Sequence, residues 1–244
     1  MFIHEASSRW LVGYLTRRVR NYQRRVPNDL PRLKAELKVG DVLLVEGNTR
    51  ISQIIMYLTQ SSWSHATLYI GDALLRWGGP EAERALDLYG EDASHLLVES
   101  DLKRGVVAVP LMKYRDQNLR ICRPVGLTSG QIDQVLSEVL RNLGVRYDRQ
   151  NIFDLARYLV PFHLLPRRFR REPLYLGAST SREVICSALI ARAFYRVGQP
   201  IQPPIPPWEG ADRSEGAWKM RHPSFVMPRD FDLSEAFRVV KVGR

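Results

Sequence analysis

Five short apolar runs, at 39–46, 64–71, 95–100, 105–109 and 119–123, are each bounded by turn or charged residues. Strands this short are unstable singly, so they must pair and bury a face against other elements. Two helical patterns offer cover. Ile51, Ile54, Ile55 and Leu58 recur at i, i+3, i+4 and i+7 spacing within 50–60; Ile132, Val135, Leu136, Val139 and Leu140 do so within 128–142, where Gly144 supplies a stop. A last strand is expected over 237–242. The order predicts an α+β fold, with a small mixed or antiparallel sheet packed on helices.

At 244 residues and 45% hydrophobic composition, the chain can bury one sizeable core. Residues 6–25 pattern as an added N-terminal helix, with Trp10, Val12, Tyr14, Leu15, Val19 and Tyr22 among Arg17, Arg18, Arg20, Arg24 and Arg25. It reads either as a docked helix with a wet arginine face or as a basic amphipathic helix on an anionic membrane. A linker follows Pro27 and Pro31, so 1–36 reads as helix and linker and 37–244 as the main domain. Residues 77–94 read as an inserted loop with a short helix, 151–165 as a helix, and Thr180 to Glu183 as a capping box before the helix that carries Cys186. The proline-rich stretch from Gln199 to Pro228 is expected to wrap the surface.

The formal charge of +10 makes anionic surfaces plausible partners. No recognised module supports nucleic acid as that partner. The apolar run from Trp10 is cut by Arg17 and Arg18, and no segment approaches the roughly 20 apolar residues of a spanning helix. A cytoplasmic protein, peripheral at the inner face of the membrane, is the resulting expectation.

Two cysteines and five histidines limit the available chemistry. Cys122 and Cys186 are too few for a disulfide framework, and neither lies in a zinc-like cluster. Both read as reduced thiols. Cys186 lies early in its helix, where the dipole and a nearby imidazole would lower a thiol pKa. In the strand 64–71, Ala66, Leu68 and Ile70 share one face, so His65, Thr67 and Tyr69 share the other, away from the most apolar side. A catalytic imidazole needs a partner on its second nitrogen. Glu99, after Leu96-Leu97-Val98, is one candidate; Asp101, on the same face, is the other.

The segments Val39-Gly40-Asp41-Val42-Leu43-Leu44, Ser64-His65-Ala66-Thr67-Leu68-Tyr69-Ile70-Gly71 and Val98-Glu99-Ser100, followed by Gly105-Val106-Val107, occur in a telling order. Val145-Arg146-Tyr147-Asp148, Ile185-Cys186-Ser187-Ala188-Leu189-Ile190 and the end from Pro228 to Phe237 continue it. Together they resemble the circularly permuted papain-like hydrolases of the YiiX/YebB type, relatives of the NlpC-type peptidases and of the lecithin retinol acyltransferase group. The resemblance runs from about Val39 to Lys241. It implies a permuted papain-like fold, Cys186 as nucleophile, His65 as base and then acid, and Glu99 as the orienting residue. Tyr147 and Asp148 would shape the substrate cleft. The family often has an acidic residue after Cys-Ser where Ala188 stands here, a departure that touches substrate contacts and leaves the thiol and imidazole in place.

The implied activity is thiol-dependent hydrolysis or transfer of an acyl group from an amide, ester or thioester, with no metal or other cofactor. Backbone N–H groups at the helix start would stabilise the oxyanion. An acyl-bearing lipid, an acylated protein or a peptide is the expected substrate. The basic N-terminal segment and Arg167, Arg168, Arg170 and Arg171, set among apolar residues, favour the lipid and acylated-protein readings. The alternative is a non-catalytic module that binds lipid headgroups or another anionic surface on the same scaffold.

Overall fold

The computed structural model describes residues 13–25, 27–101, 104–145, 186–203 and 221–241. Its strands are β1 (Val42–Glu46), β2 (His65–Gly71), β3 (Leu96–Asp101), β4 (Gly105–Pro110), β5 (Asn118–Pro124) and β6 (Phe237–Val240). They form one six-stranded sheet in the order β4-β3-β2-β1-β5-β6, with every neighbouring pair antiparallel. The helices are α1 (Leu30–Glu36), α2 (Arg50–Thr59), α3 (Ala73–Trp77), α4 (Pro80–Tyr89), α5 (Ser129–Leu140), α6 (Cys186–Arg196) and α7 (Pro228–Leu233). The α+β expectation therefore holds, with the sheet antiparallel throughout.

Strand alternation builds two cores, one on each face. Val42, Leu44, Ala66, Leu68, Ile70, Leu96, Val98 and Cys122 meet α5 and α6 through Val135, Val139, Leu189, Ile190 and Phe194. On the opposite face Leu43, Val45, Tyr69, Leu97 and Ile121 meet Leu33 and Leu37, together with Leu111 and Tyr114 of a 3-10 turn over Leu111–Tyr114. The face of β2 that carries His65 is thus a second core, with Thr67 fully buried beside Tyr69.

The helix that covers this second face replaces the expected linker. Asp29 caps α1 by accepting from the Arg32 N–H, and Pro31 lies in the first turn, where its missing N–H costs nothing. Helix α5 carries a reciprocal cap between Thr128 and Gln131. Residues 77–94 are more ordered than a loop, because Ala82 and Ala85 bury one side of α4 and a 3-10 turn over Gly90–Ser94 closes the segment.

The reading of 6–25 as one helix is corrected over its described part. Helical geometry covers only 13–15, and the following residues run as a strap tied to the sheet. Arg18 bridges Thr49, the Val19 N–H donates to the Asn48 carbonyl at 2.8 Å, and the Tyr22 hydroxyl accepts from the Asn118 N–H at 2.7 Å. These backbone groups are spent on tertiary partners and cannot also close helical turns.

The stretch after α6 does more than wrap the surface. Ile201 and Val226 are buried, and the Ser187 hydroxyl donates to the Val226 carbonyl at 2.6 Å. Phe231 of α7 meets Phe237 edge to face with ring centroids 5.4 Å apart, and Phe237 meets Phe194 at 5.0 Å. The expected helix over 151–165 and the capping box at Thr180 to Glu183 lie outside the described residues.

Candidate active site

The β2–β3 ladder pairs Tyr69 with Leu97 and Leu68 with Val98, and its register stops there. The Tyr69 N–H donates to the Asp41 carbonyl on the β1 side at 2.8 Å. Antiparallel alternation therefore turns the Ala66 N–H the other way, toward β3, at a level where β3 no longer takes it. The sulfur of Cys186, first residue of α6, accepts that N–H. It also accepts the N–H of Ser187, which lies at the helix start where such groups have no intrahelical acceptor. The end of the ladder thus makes a seat for a sulfur anion.

His65 opens β2 beside this seat, and its imidazole and the Cys186 thiol are hydrogen-bonded partners. Nε2 faces Oε2 of Glu99 at 3.4 Å, which leaves Nδ1 for the sulfur. Burial pushes the Cys186 pKa up, but the imidazolium charge, its hydrogen bond and the two backbone donors hold it below the ordinary thiol value. Burial likewise pushes His65 down, and is outweighed by the Cys186 thiolate and then by Glu99, so the imidazole titrates above its usual range. Both directions describe one state, a thiolate–imidazolium pair.

Glu99 is almost wholly enclosed, its side chain 1% exposed. Lys113 holds Oε1, the Tyr114 hydroxyl donates to Oε2, and Nη2 of Arg104 lies 3.7 Å from Oε1. Burial works to raise the carboxyl pKa, yet His65 and Lys113 hold it down at about 2. Asp101, the other candidate on this face, accepts from the Arg104 N–H at 2.9 Å. The structure brings Cys186, His65 and Glu99 together, whereas Tyr147 and Asp148 lie outside the described residues, as do Arg167, Arg168, Arg170 and Arg171.

Lys113, Tyr114 and Arg104 went unnoticed in the sequence. Lys113 and Tyr114 come from a turn that folds back under the sheet, and no spacing relative to Glu99 marks them. Cys122 has none of these supports: it is fully buried on β5, and burial pushes its thiol up to about 12.

The depressed Glu99 pKa carries a prediction for acid stability. A carboxyl held at about 2 against its ordinary 4.5 stabilises the fold fully above the ordinary value and loses that support as pH falls toward 2. The difference is worth about 3 kcal/mol. Glu99→Gln protein is expected to show a flatter loss of urea-unfolding free energy between pH 4.5 and 2. Parallel curves for the two proteins would count against the assignment.

No family model and no curated protein matches the chain. Among solved structures, the metalloprotein YiiX from Escherichia coli O157:H7 is similar in fold, with a TM-score of 0.51 and 12% identity, covering 84% of this chain and 96% of that one. At that identity the likeness concerns architecture alone: the chain has a YiiX-like fold.

Proposed function

We propose that this chain is a thiol-dependent acyl hydrolase or acyltransferase on a permuted papain-like scaffold, in which the strand bearing the imidazole precedes the helix bearing the nucleophile. The observation that carries the reading is the seat of Cys186, where two backbone N–H groups and an imidazole converge on one sulfur. A merely structural thiol has no use for three donors.

In the reaction, the Cys186 thiolate attacks the carbonyl carbon of an amide, ester or thioester, and the carbonyl electron pair moves onto oxygen. Backbone N–H groups at the start of α6 would stabilise that oxyanion. Collapse breaks the bond to the leaving group, which takes the proton from His65 and departs. A water molecule, or a second acceptor in the transferase variant, then gives its proton to His65 and attacks the thioester. The thiolate leaves, and the imidazolium is restored. Glu99 orients the ring and stays ionised throughout.

The YiiX neighbour is named a metalloprotein. Among the described residues no group of three or more His, Cys, Asp and Glu side chains is placed to hold a metal ion. The oxygens of Glu99 are held by Lys113 and Tyr114. The donors at this site do not form a metal set, and no step is routed through one.

An acyl-bearing lipid, an acylated protein or a peptide remains the substrate class. Two arginines of the basic strap are already engaged, Arg24 with Asp116 at 3.0 Å and Arg25 with Glu46, whereas Arg17, Arg18 and Arg20 are exposed and could meet an anionic surface. No described helix is long and apolar enough to cross a membrane.

Incubation with acyl esters, thioesters and short peptide amides, followed by intact-mass measurement, tests the proposal. One acyl group is expected on the unaltered chain, mapped to Cys186, and none on Cys186→Ala. A folded protein that acquires no adduct from any class would return the site to the non-catalytic reading, in which the scaffold only holds a lipid headgroup.

A further inference from the structure

Oε2 of Glu99 is shared. It faces Nε2 of His65 at 3.4 Å and at the same time accepts the hydroxyl of Tyr114. A charge-assisted pair free to close settles at roughly 2.7–2.9 Å. Resting on the reading of Cys186 and His65 as the reacting pair, we propose that Tyr114 is a positioning residue that sets the acid strength of His65, by occupying the carboxylate oxygen that would otherwise close on the imidazole.

An acid that must protonate a leaving group cannot hold its proton too tightly. A fully engaged carboxylate would stabilise the imidazolium and make it a reluctant donor, whereas a shared oxygen still fixes the ring while pulling less on the proton. The groups around Glu99 fit this division. His65 comes from β2, Cys186 from α6, Asp101 from the end of β3, Arg104 from the β3–β4 connection, and Lys113 and Tyr114 from the 3-10 turn. Lys113 engages Oε1 and leaves Oε2 to the tyrosine and the histidine. The Tyr114 ring lies beside His65, with centroids 6.2 Å apart, and the residue is only 3% exposed, so the surrounding core limits its movement. Burial, followed by Glu99, raises the Tyr114 pKa well above its ordinary value, so the phenol remains a donor wherever the site works.

The test compares Tyr114→Phe, which keeps the ring and removes the donor, with 3,5-difluorotyrosine in place of Tyr114, which strengthens the donor and loses no bond. In Tyr114→Phe the imidazolium midpoint of His65, followed by NMR, is expected to rise by about half a pH unit, and the pH limb of Cys186 alkylation to fall by a similar amount, making labelling below the limb about threefold faster. Acylation by an alkyl amide should slow by up to about threefold relative to acylation by an activated thioester, whose leaving group needs no proton. Difluorotyrosine should move the midpoint and the limb in the opposite directions. Folded variants whose midpoint and limb both stay put would overturn the inference and leave the Cys186–His65 pair standing. Labelling of the unaltered chain only in the ordinary thiol range would overturn the pair and this inference with it.

Discussion

At pH 6, His65→Ala protein is expected to be alkylated by iodoacetamide at Cys186 at least about tenfold more slowly than the unaltered chain. Of the influences on this thiol, burial is the largest and works upward; the imidazolium is the first of those that oppose it. Removing the ring leaves only the Ala66 and Ser187 N–H groups against burial, and the pKa climbs back toward or above its ordinary 9.0. A thiol of that pKa is ionised at pH 6 to about one part in a thousand. Intrinsic nucleophilicity rises with thiol pKa and returns some of the lost rate, so the fall is smaller than the change in thiolate fraction. Cys122 is an internal control, because a buried thiol pushed up to about 12 stays unlabelled at this pH in both proteins. The pH profile gives the sign independently: the unaltered chain should gain rate at a lower pH than the variant, which should label only as pH rises through the ordinary thiol range. Equal rates for the two proteins at pH 6 would sink the ion pair.

How far the site could be read in advance depends on what each residue needs from its surroundings. With so few thiols and imidazoles, His65 and Cys186 stood out, and strand periodicity put Glu99 and Asp101 on the face of His65. Periodicity could not choose between the two carboxylates. A side chain's face repeats every second residue, but its hydrogen-bond partner depends on where the neighbouring ladder ends. That end, at Leu68 opposite Val98, is tertiary information, and it supplies the Ala66 donor to the sulfur. The same limit explains α1. Pro31 in a first helical turn and a proline in a linker look alike until Leu33 and Leu37 are seen against the sheet. The strap over 16–25 misled for the opposite reason, since its helical pattern is overridden by bonds to Asn48, Thr49 and Asn118.

Asp41 belongs to the turn that leads into β1, and its substitution by alanine is expected to cost about 3–5 kcal/mol, lowering the melting temperature by about 10 °C. Asp41 is 1% exposed and takes a two-pronged contact from Arg123 on β5, Nε to Oδ1 at 2.8 Å and Nη2 to Oδ2 at 2.7 Å. Nη2 also donates to the Glu36 carbonyl at 2.6 Å, and the Lys38 N–H donates to Oδ2 at 2.8 Å. One carboxylate therefore joins the end of α1, the entry to β1 and strand β5. Its loss leaves a guanidinium that is 12% exposed without its counter-ion, and that stranded charge is the main cost. Removing both charges, in Asp41→Leu with Arg123→Met, should recover much of the stability, because two apolar side chains can pack where one buried ion cannot. A double variant as unstable as the single one would show that the turn, not the stranded charge, determines the loss. Chemistry should be spared in either case: the Asp41 carbonyl meets Tyr69, which lies about 13 Å along β2 from His65, so the folded fraction should keep its reactive Cys186. Loss of alkylation in folded Asp41→Ala protein would contradict that separation between the end of the sheet that anchors the fold and the end that holds the thiol.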